Sequence, residues 1–207
     1  MYDLSVPTTP GRPTTAGTTA PSSAARARIL DTATQLFYAR GLRAVGVDTI
    51  IAESGVAKAT FYKHFPAKDD LIAAYLDRVD GAWTGQLQAA AEAAGPAPAD
   101  QLVGIFDALG SACRRDGYRG CGFINAAAET TPGTVAHDRT VAHKQKVLAW
   151  LRDLAADAGA PRPERLARSL ALLVDGALSS GALDADPEAV EVARDTAARL
   201  VEQAVPA

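Results

Sequence analysis

The sequence predicts an all-α chain: an N-terminal three-helix helix-turn-helix domain, joined by a long helix to a larger helical domain. Three observations predict it. Apolar residues recur at three- and four-residue spacing through most of the chain beyond residue 21. Glycine and proline clusters break that periodicity into helix-sized pieces, and no stretch alternates apolar and polar residues as a half-buried strand would. Residues 46–71, G-V-D-T-I-I-A-E-S-G-V-A-K-A-T-F-Y-K-H-F-P-A-K-D-D-L, hold two short helical patterns separated by a glycine turn. The boundaries that follow are a tail over 1–21, a helix-turn-helix domain over 22–66 and a second helical domain over 67–207.

In the tail, Pro7, Pro10, Pro13 and Pro21 sit among Thr, Gly and Ala, a composition that cannot bury a core and predicts disorder. Arg12 there reads as part of a solvated leader rather than as an arm reaching DNA. The first helix is expected after Ser22 or Ser23, either of which can cap it, and runs to about Arg40, where Gly41 stops it. Ile29, Leu30, Ala33, Leu36 and Phe37 form its apolar face. The first short helix spans about 48–54 with Ile50 and Ile51 inward. Gly55 follows at the C-terminal position that favours a left-handed residue, and Val56 plugs the corner. The second short helix starts near Lys58, turns Phe61 and Phe65 to the core, and ends before Pro66.

Two helices with a short glycine-containing turn are the unit whose second helix enters the DNA major groove. That helix carries Lys58, Ala59, Thr60, Tyr62, Lys63 and His64, with Lys68 opening the next helix. Lysines neutralise phosphates, Tyr and Thr hydroxyls donate to them, and Ala59 and Thr60 suit a thymine methyl. Thr49, in the first short helix, completes the set. Each has a plainer alternative: Tyr62 as packing between modules, His64 as a neutral capped residue.

The long helix covers about 67–93, with Leu71, Ile72, Tyr75, Leu76, Val79, Trp83 and Leu87 in period, and Gly95-Pro96-Ala97-Pro98 breaks it. Further helices are predicted over about 99–115, 121–129, 134–158, 163–183 and 187–204. The last opens with Asp186 as cap and Pro187 at its first position. Small residues on the last two helices allow close packing against a second copy of the chain, or simply close the monomer core.

The stretch G-V-A-K-A-T-F-Y-K-H-F followed by P-A-K-D-D-L resembles the signature of the TetR family of one-component transcriptional regulators. Cys121 to Glu129, C-G-F-I-N-A-A-A-E, extends the resemblance into the second domain. Three positions depart: Gly46 and Ala57 stand where the family often has a phosphate-binding Ser or Thr, and Ala59 where it often has Gly. The resemblance implies a homodimer through the last two helices and a palindromic double-stranded DNA operator. It also implies a small-molecule effector whose binding tilts the long helix, most often releasing a repressor. Arg26 and Arg28 then lie where the family often meets phosphate. Trp83, Phe106, Cys113, Tyr118, Phe123, Asn125 and Trp150 lie in the helices that surround the family's ligand cavity, although each also suits plain core. Tyr118 and Asn125 are the better polar candidates, since a buried phenol or amide needs a partner. The alternative is a DNA-binding regulator gated by a partner protein, or constitutive, with no small ligand.

Composition bounds the rest. The 207 residues have a formal net charge of -3. Eight of the 21 Lys and Arg but four of the 24 Asp and Glu fall within residues 1–68, so a basic first third sits on an acidic remainder. Two cysteines make no disulfide framework, and no apolar run approaches the roughly 20 residues that span a bilayer. A cytoplasmic protein without a membrane partner is expected. Cys113, Cys121, His137 and His143 lack metal-ligand spacing, so no metal is expected and the thiols read as buried. G-Y-R-G-C-G at 117–122 and G-A-L-S-S-G at 176–181 fail as a dinucleotide loop and a nucleophile elbow. Neither an enzyme nor a bound cofactor is expected.

Overall fold

The computed structural model describes residues 21–183 and 188–205. Among them are nine α-helices: α1 (Pro21–Arg40), α2 (Val47–Ser54), α3 (Lys58–His64), α4 (Lys68–Ala93), α5 (Pro98–Cys113), α6 (Gly122–Glu129), α7 (Val135–Asp157), α8 (Pro163–Leu183) and α9 (Glu188–Ala204). The disordered-tail and Arg12 expectations, and the cap formed by Asp186 and Pro187, lie outside the described residues. α1 already begins at Pro21, ahead of the two serines expected to cap it.

The helix-turn-helix forms as its spacing demands. α2 has no side-chain cap at Gly46, consistent with the missing hydroxyl, and ends on Gly55 at φ +64, the left-handed conformation in which the Gly55 amide reaches back to the Ile51 carbonyl. α3 follows from Ala57, also without a side-chain cap. Its Phe61 is fully buried, and Phe65 at its end nearly so. They join Ile29, Phe37, Val45, Ile50 and Val56 in one apolar cluster, the core of the head.

α4 belongs to two cores. Leu71, Ile72, Tyr75 and Leu76 complete the head cluster, whereas Leu87 and Ala91 lie in the second cluster with Leu102, Ile105, Phe106 and Leu109 of α5 and the inner faces of α7, α8 and α9. The head cluster also takes in Phe123 and Ala126 of α6 and Ala136 of α7. The apolar packing of the head therefore reaches past residue 66 into α6. Gly104 of α5 is required by the close approach of α4: a Cβ there would stand 2.4 Å from the Ala94 Cβ.

α8 is long and apolar enough, by length and composition alone, to cross a membrane, although Arg168 and Asp175 interrupt it and no unbroken apolar run approaches that length. Its leucines, alanines and valine raise its hydropathy. Its Leu166, Leu170, Val174, Ala177 and Leu178 are buried in the body core, so its apolarity is that of a core helix. On its outer side Leu172 is 69% exposed, as are Leu183 at 83% and Val192 of α9 at 61%.

Phe61→Ala is expected to destabilise the protein by about 3–5 kcal/mol through loss of a fully buried ring. Tyr62→Ala, one residue along and exposed, should leave stability within about 0.5 kcal/mol; urea denaturation of the two variants checks the contrast.

Candidate nucleic-acid interface and body cavity

α3 is held from beneath by Phe61 and Phe65, which leaves Lys58, Ala59, Tyr62 and Lys63 exposed and Thr60 and His64 half-buried. The exposed Tyr62 ring stands edge-on to Phe61 at 5.4 Å between centroids, so its hydroxyl is carried outward on a braced ring. Lys58 lies 3.4 Å from Asp48 of α2, an exposed pair that costs little to separate. Thr49 is half-buried in the first turn of α2. On α1, Arg28 is exposed, and the Arg26 guanidinium lies over the Phe65 ring at 5.1 Å, which fixes it beside the end of α3. Lys68 departs from its expected role. Its ammonium is turned inward, donating to the Leu42 carbonyl at 2.6 Å and lying 5.9 Å from the Phe37 ring centroid. α4 instead receives its N-terminal cap from Asp70, whose carboxylate accepts the Ala67 N–H at 2.9 Å.

The expected ligand residues divide into groups. Trp83, Tyr118 and Phe123 meet at one cavity, together with Val79, Ala82 and Gln86 of α4, Arg115, Cys121 and Leu178. Its volume is about 30 Å³, room for water and far short of the roughly 300–1,000 Å³ of a drug-sized site. Phe106 and Cys113 line a different space, a cleft of about 650 Å³ between α5 and the facing ends of α8 and α9, edged by Asp107, Arg114, Glu191 and Arg194. Asn125 lines a third, of about 30 Å³, against Tyr38 and Glu129. Trp150 is half-buried and packs against the body core. The two polar candidates do not await a ligand: the Tyr118 hydroxyl donates to the Leu178 carbonyl at 2.9 Å, and the Asn125 amide to the Arg119 carbonyl at 2.8 Å. Both cysteines are half-buried and free, rather than buried as expected. Burial pushes the Cys113 thiol up, and burial followed by its contact with that thiol pushes the Tyr118 phenol far up, so both stay protonated at neutral pH.

Sequence reasoning missed Val79, Ala82 and Gln86, although with Trp83 they share one face of α4 at helical spacing. It also missed a polar cluster under the cavity. His143 of α7 is 4% exposed, stacks on Phe123 at 3.7 Å between ring centroids, and places Nδ1 2.6 Å from Asp80 Oδ1. Lys146 donates to the other Asp80 oxygen at 2.7 Å. The available signal was Asp80 itself, an acid interrupting an otherwise apolar face of α4. Burial holds the His143 pKa below its usual value, against the opposing pull of Asp80. Burial pushes the Asp80 pKa up, but the hydrogen bonds from His143 and Lys146 outweigh it and leave the net shift downward. The pair is thus a neutral imidazole donating its Nδ1–H to a carboxylate.

The head matches the family model described as "Bacterial regulatory proteins, tetR family" over residues 29–75. Across nearly the whole chain, the fold matches the crystal structure of a TetR-family transcriptional regulator from Streptomyces coelicolor. That match has a TM-score of 0.82 and 39% identity, and covers 88% of this chain and 96% of the other. The chain belongs to the TetR family of transcriptional regulators. Among curated relatives, the transcriptional activator FasR of Mycolicibacterium smegmatis is 38% identical over 74 residues, 35% of this chain and 34% of that one. A transcriptional repressor of Mycobacterium tuberculosis is 36% identical over 95 residues, 44% of this chain and 47% of that one. These alignments span a third to a half of those relatives. One is named an activator and the other a repressor, so similarity in the head does not set the sign of regulation. The exposed Lys58 and Lys63 lie on α3, the second helix of the motif, within the matched segment.

Acidification is expected to destabilise the protein in two steps. His143 has a lowered pKa in the folded state, so the unfolded chain takes up its proton first, and stability present above the ordinary histidine value of 6.5 is lost as pH falls below it. Asp80, also lowered, adds a further loss below its ordinary 3.8. Thermal melts from pH 8 to pH 5 should show a falling Tm, and His143→Gln should flatten that part of the profile.

Proposed function

We propose that the protein is a ligand-responsive transcriptional repressor that binds a palindromic operator as a homodimer and is released by a small apolar or aromatic effector. The observation that carries the DNA reading is α3, pinned by Phe61 and Phe65 with Lys58, Ala59, Tyr62 and Lys63 facing outward. Residues 22–66 form the DNA-binding unit in this reading and 67–207 the effector-binding and dimerisation unit. Thr60 and His64 on α3 itself, with Arg26 and Arg28 of α1 and Thr49 of α2, supply further phosphate or base contacts in this reading, in a cytoplasmic setting. Lys68 acts by holding the corner at Leu42 rather than by touching DNA.

Dimerisation through α8 and α9 is supported by the exposed Leu172, Leu183 and Val192 and by a groove of about 360 Å³ that the small residues Gly176, Ala177 and Ser180 leave between the two helices. Two heads so paired would meet half-sites about 34–36 Å apart. The effector site is the cavity lined by Trp83, Tyr118 and Phe123, which lies between the body and the head core. At its present volume it must open to admit a ligand. An effector that prefers the open form shifts the population, and operator affinity falls by a coupling of about 1–3 kcal/mol. The filled cavity also favours a second reading, a regulator gated by a partner protein or constitutive.

Thermal shift of the purified protein against apolar and aromatic compounds separates the two readings. A ligand at about 100 times its dissociation constant adds about 2.7 kcal/mol of stability, and the absence of any shift across such a set favours the partner-gated reading. On an operator selected from random duplexes, Lys63→Ala is expected to weaken binding across sequences and reduce the salt slope by about one; fluorescence anisotropy at several salt concentrations measures it. Leu172→Glu combined with Val192→Glu should yield monomers in sedimentation velocity and abolish tight operator binding.

A further inference from the structure

We infer that Glu129, with Arg119, forms a second joint between head and body, separate from α4, and that Glu129 is the residue through which the cavity wall positions the corner between α1 and α2. The inference rests on the effector reading above and adds to it a named route.

The C-terminus of α1 leaves carbonyls that its own helix cannot satisfy. The segment from Arg119 to Glu129 meets them. The Arg119 guanidinium donates to the Ala39 carbonyl and, at 3.4 Å, to that of Tyr38, a cation at the negative end of the helix. The Tyr38 hydroxyl accepts the Arg119 N–H at 2.8 Å and donates to the Gly120 carbonyl at 3.1 Å. The chain then turns through Gly41 at φ +89, and the next two amides point at one carboxylate: Leu42 N–H reaches Glu129 Oε1 at 3.1 Å and Arg43 N–H reaches Oε2 at 2.8 Å. Gly41 leaves the room this needs, since a Cβ there would stand 2.5 Å from Glu129 Oε1. The Leu42 peptide is gripped at both ends, because Lys68 takes its carbonyl.

The same segment walls the cavity. Gly120, Cys121, Gly122 and Phe123 line it, and Phe123 also packs in the head core. An occupant that displaces this wall moves the α6 end that carries Glu129, and with it the corner leading into α2. The clamp thereby links the cavity to the DNA-facing unit by hydrogen bonds that bypass α4.

The test uses the full chain. Glu129→Ala should raise amide exchange at Leu42 and Arg43 at least tenfold while α8 and α9 stay protected. Glu129→Gln, which keeps one acceptor, should fall between. To occupy the cavity without knowing its effector, Cys121 is alkylated with iodoacetamide in a Cys113→Ala background, with mass spectrometry to confirm one adduct. Operator affinity is then measured by anisotropy. Alkylation should lower affinity at least tenfold with Glu129 present and less than twofold in Glu129→Ala, with Glu129→Gln intermediate. Equal losses in all three would overturn the joint while leaving the effector reading intact, and unchanged exchange at Leu42 and Arg43 would overturn the clamp itself. No change in affinity on alkylation in any variant would sink the effector reading, and the inference with it.

Discussion

α4 is the only described helix with large apolar side chains fully buried in both hydrophobic clusters. Leu71 and Tyr75 fix its first half in the head and Leu87 fixes its second half in the body, so neither core can repack without dragging the helix that the other depends on. Close-packed interiors transmit displacement rather than absorb it. This shared helix therefore makes the orientation of α3 a property of the whole chain and not of the small head alone.

Polar interactions divide the labour differently. The surface pairs, such as Arg40 with Glu53 and Arg139 with Asp77, are exposed and contribute little to stability. The informative polar groups sit at junctions between elements. Asp80 draws in His143 and Lys146 from α7, and the Tyr38 hydroxyl joins α1 to the chain before α6. Buried polar groups cost free energy unless paired. These pairings are therefore directional in a way that leucine packing is not, and they fix one relative placement of α1, α4, α6 and α7.

Much of this was legible from the sequence. The period of Ile29, Ala33, Leu36 and Phe37 gave α1, and Gly55 with Pro66 bracketed α3, because punctuation by glycine and proline is a local property of the backbone. Helix ends such as 98 for α5 shifted by a residue or two, as ends do. The cavity was legible only in part. Trp83, Tyr118 and Phe123 converge on it, but Phe106, Asn125 and Trp150 went elsewhere, because helical period states which face is apolar and not which neighbour it meets. Lys68 misled for a related reason: a lysine in the first turn of a helix reads as a phosphate ligand until the carbonyl of Leu42 is seen to lie nearer. His143 and Asp80 are far apart in the chain, and nothing local marks them as partners.

The tight seat of Glu129 against Gly41 bears on how such a chain can diverge. A Cβ at position 41 would stand 2.5 Å from Glu129 Oε1, so the carboxylate would have to shift off its two amides, and the left-handed backbone adds a penalty of its own for any residue with a Cβ. Shortening the acid would free the space but take the acceptor from two amides, one of them part-buried. Neither change is neutral alone, whereas together they partly compensate, which is the condition for strongly non-additive effects at contacting sites. Positions 41 and 129, remote in the chain, are thus coupled energetically, so that the cost of substituting one depends on the residue at the other.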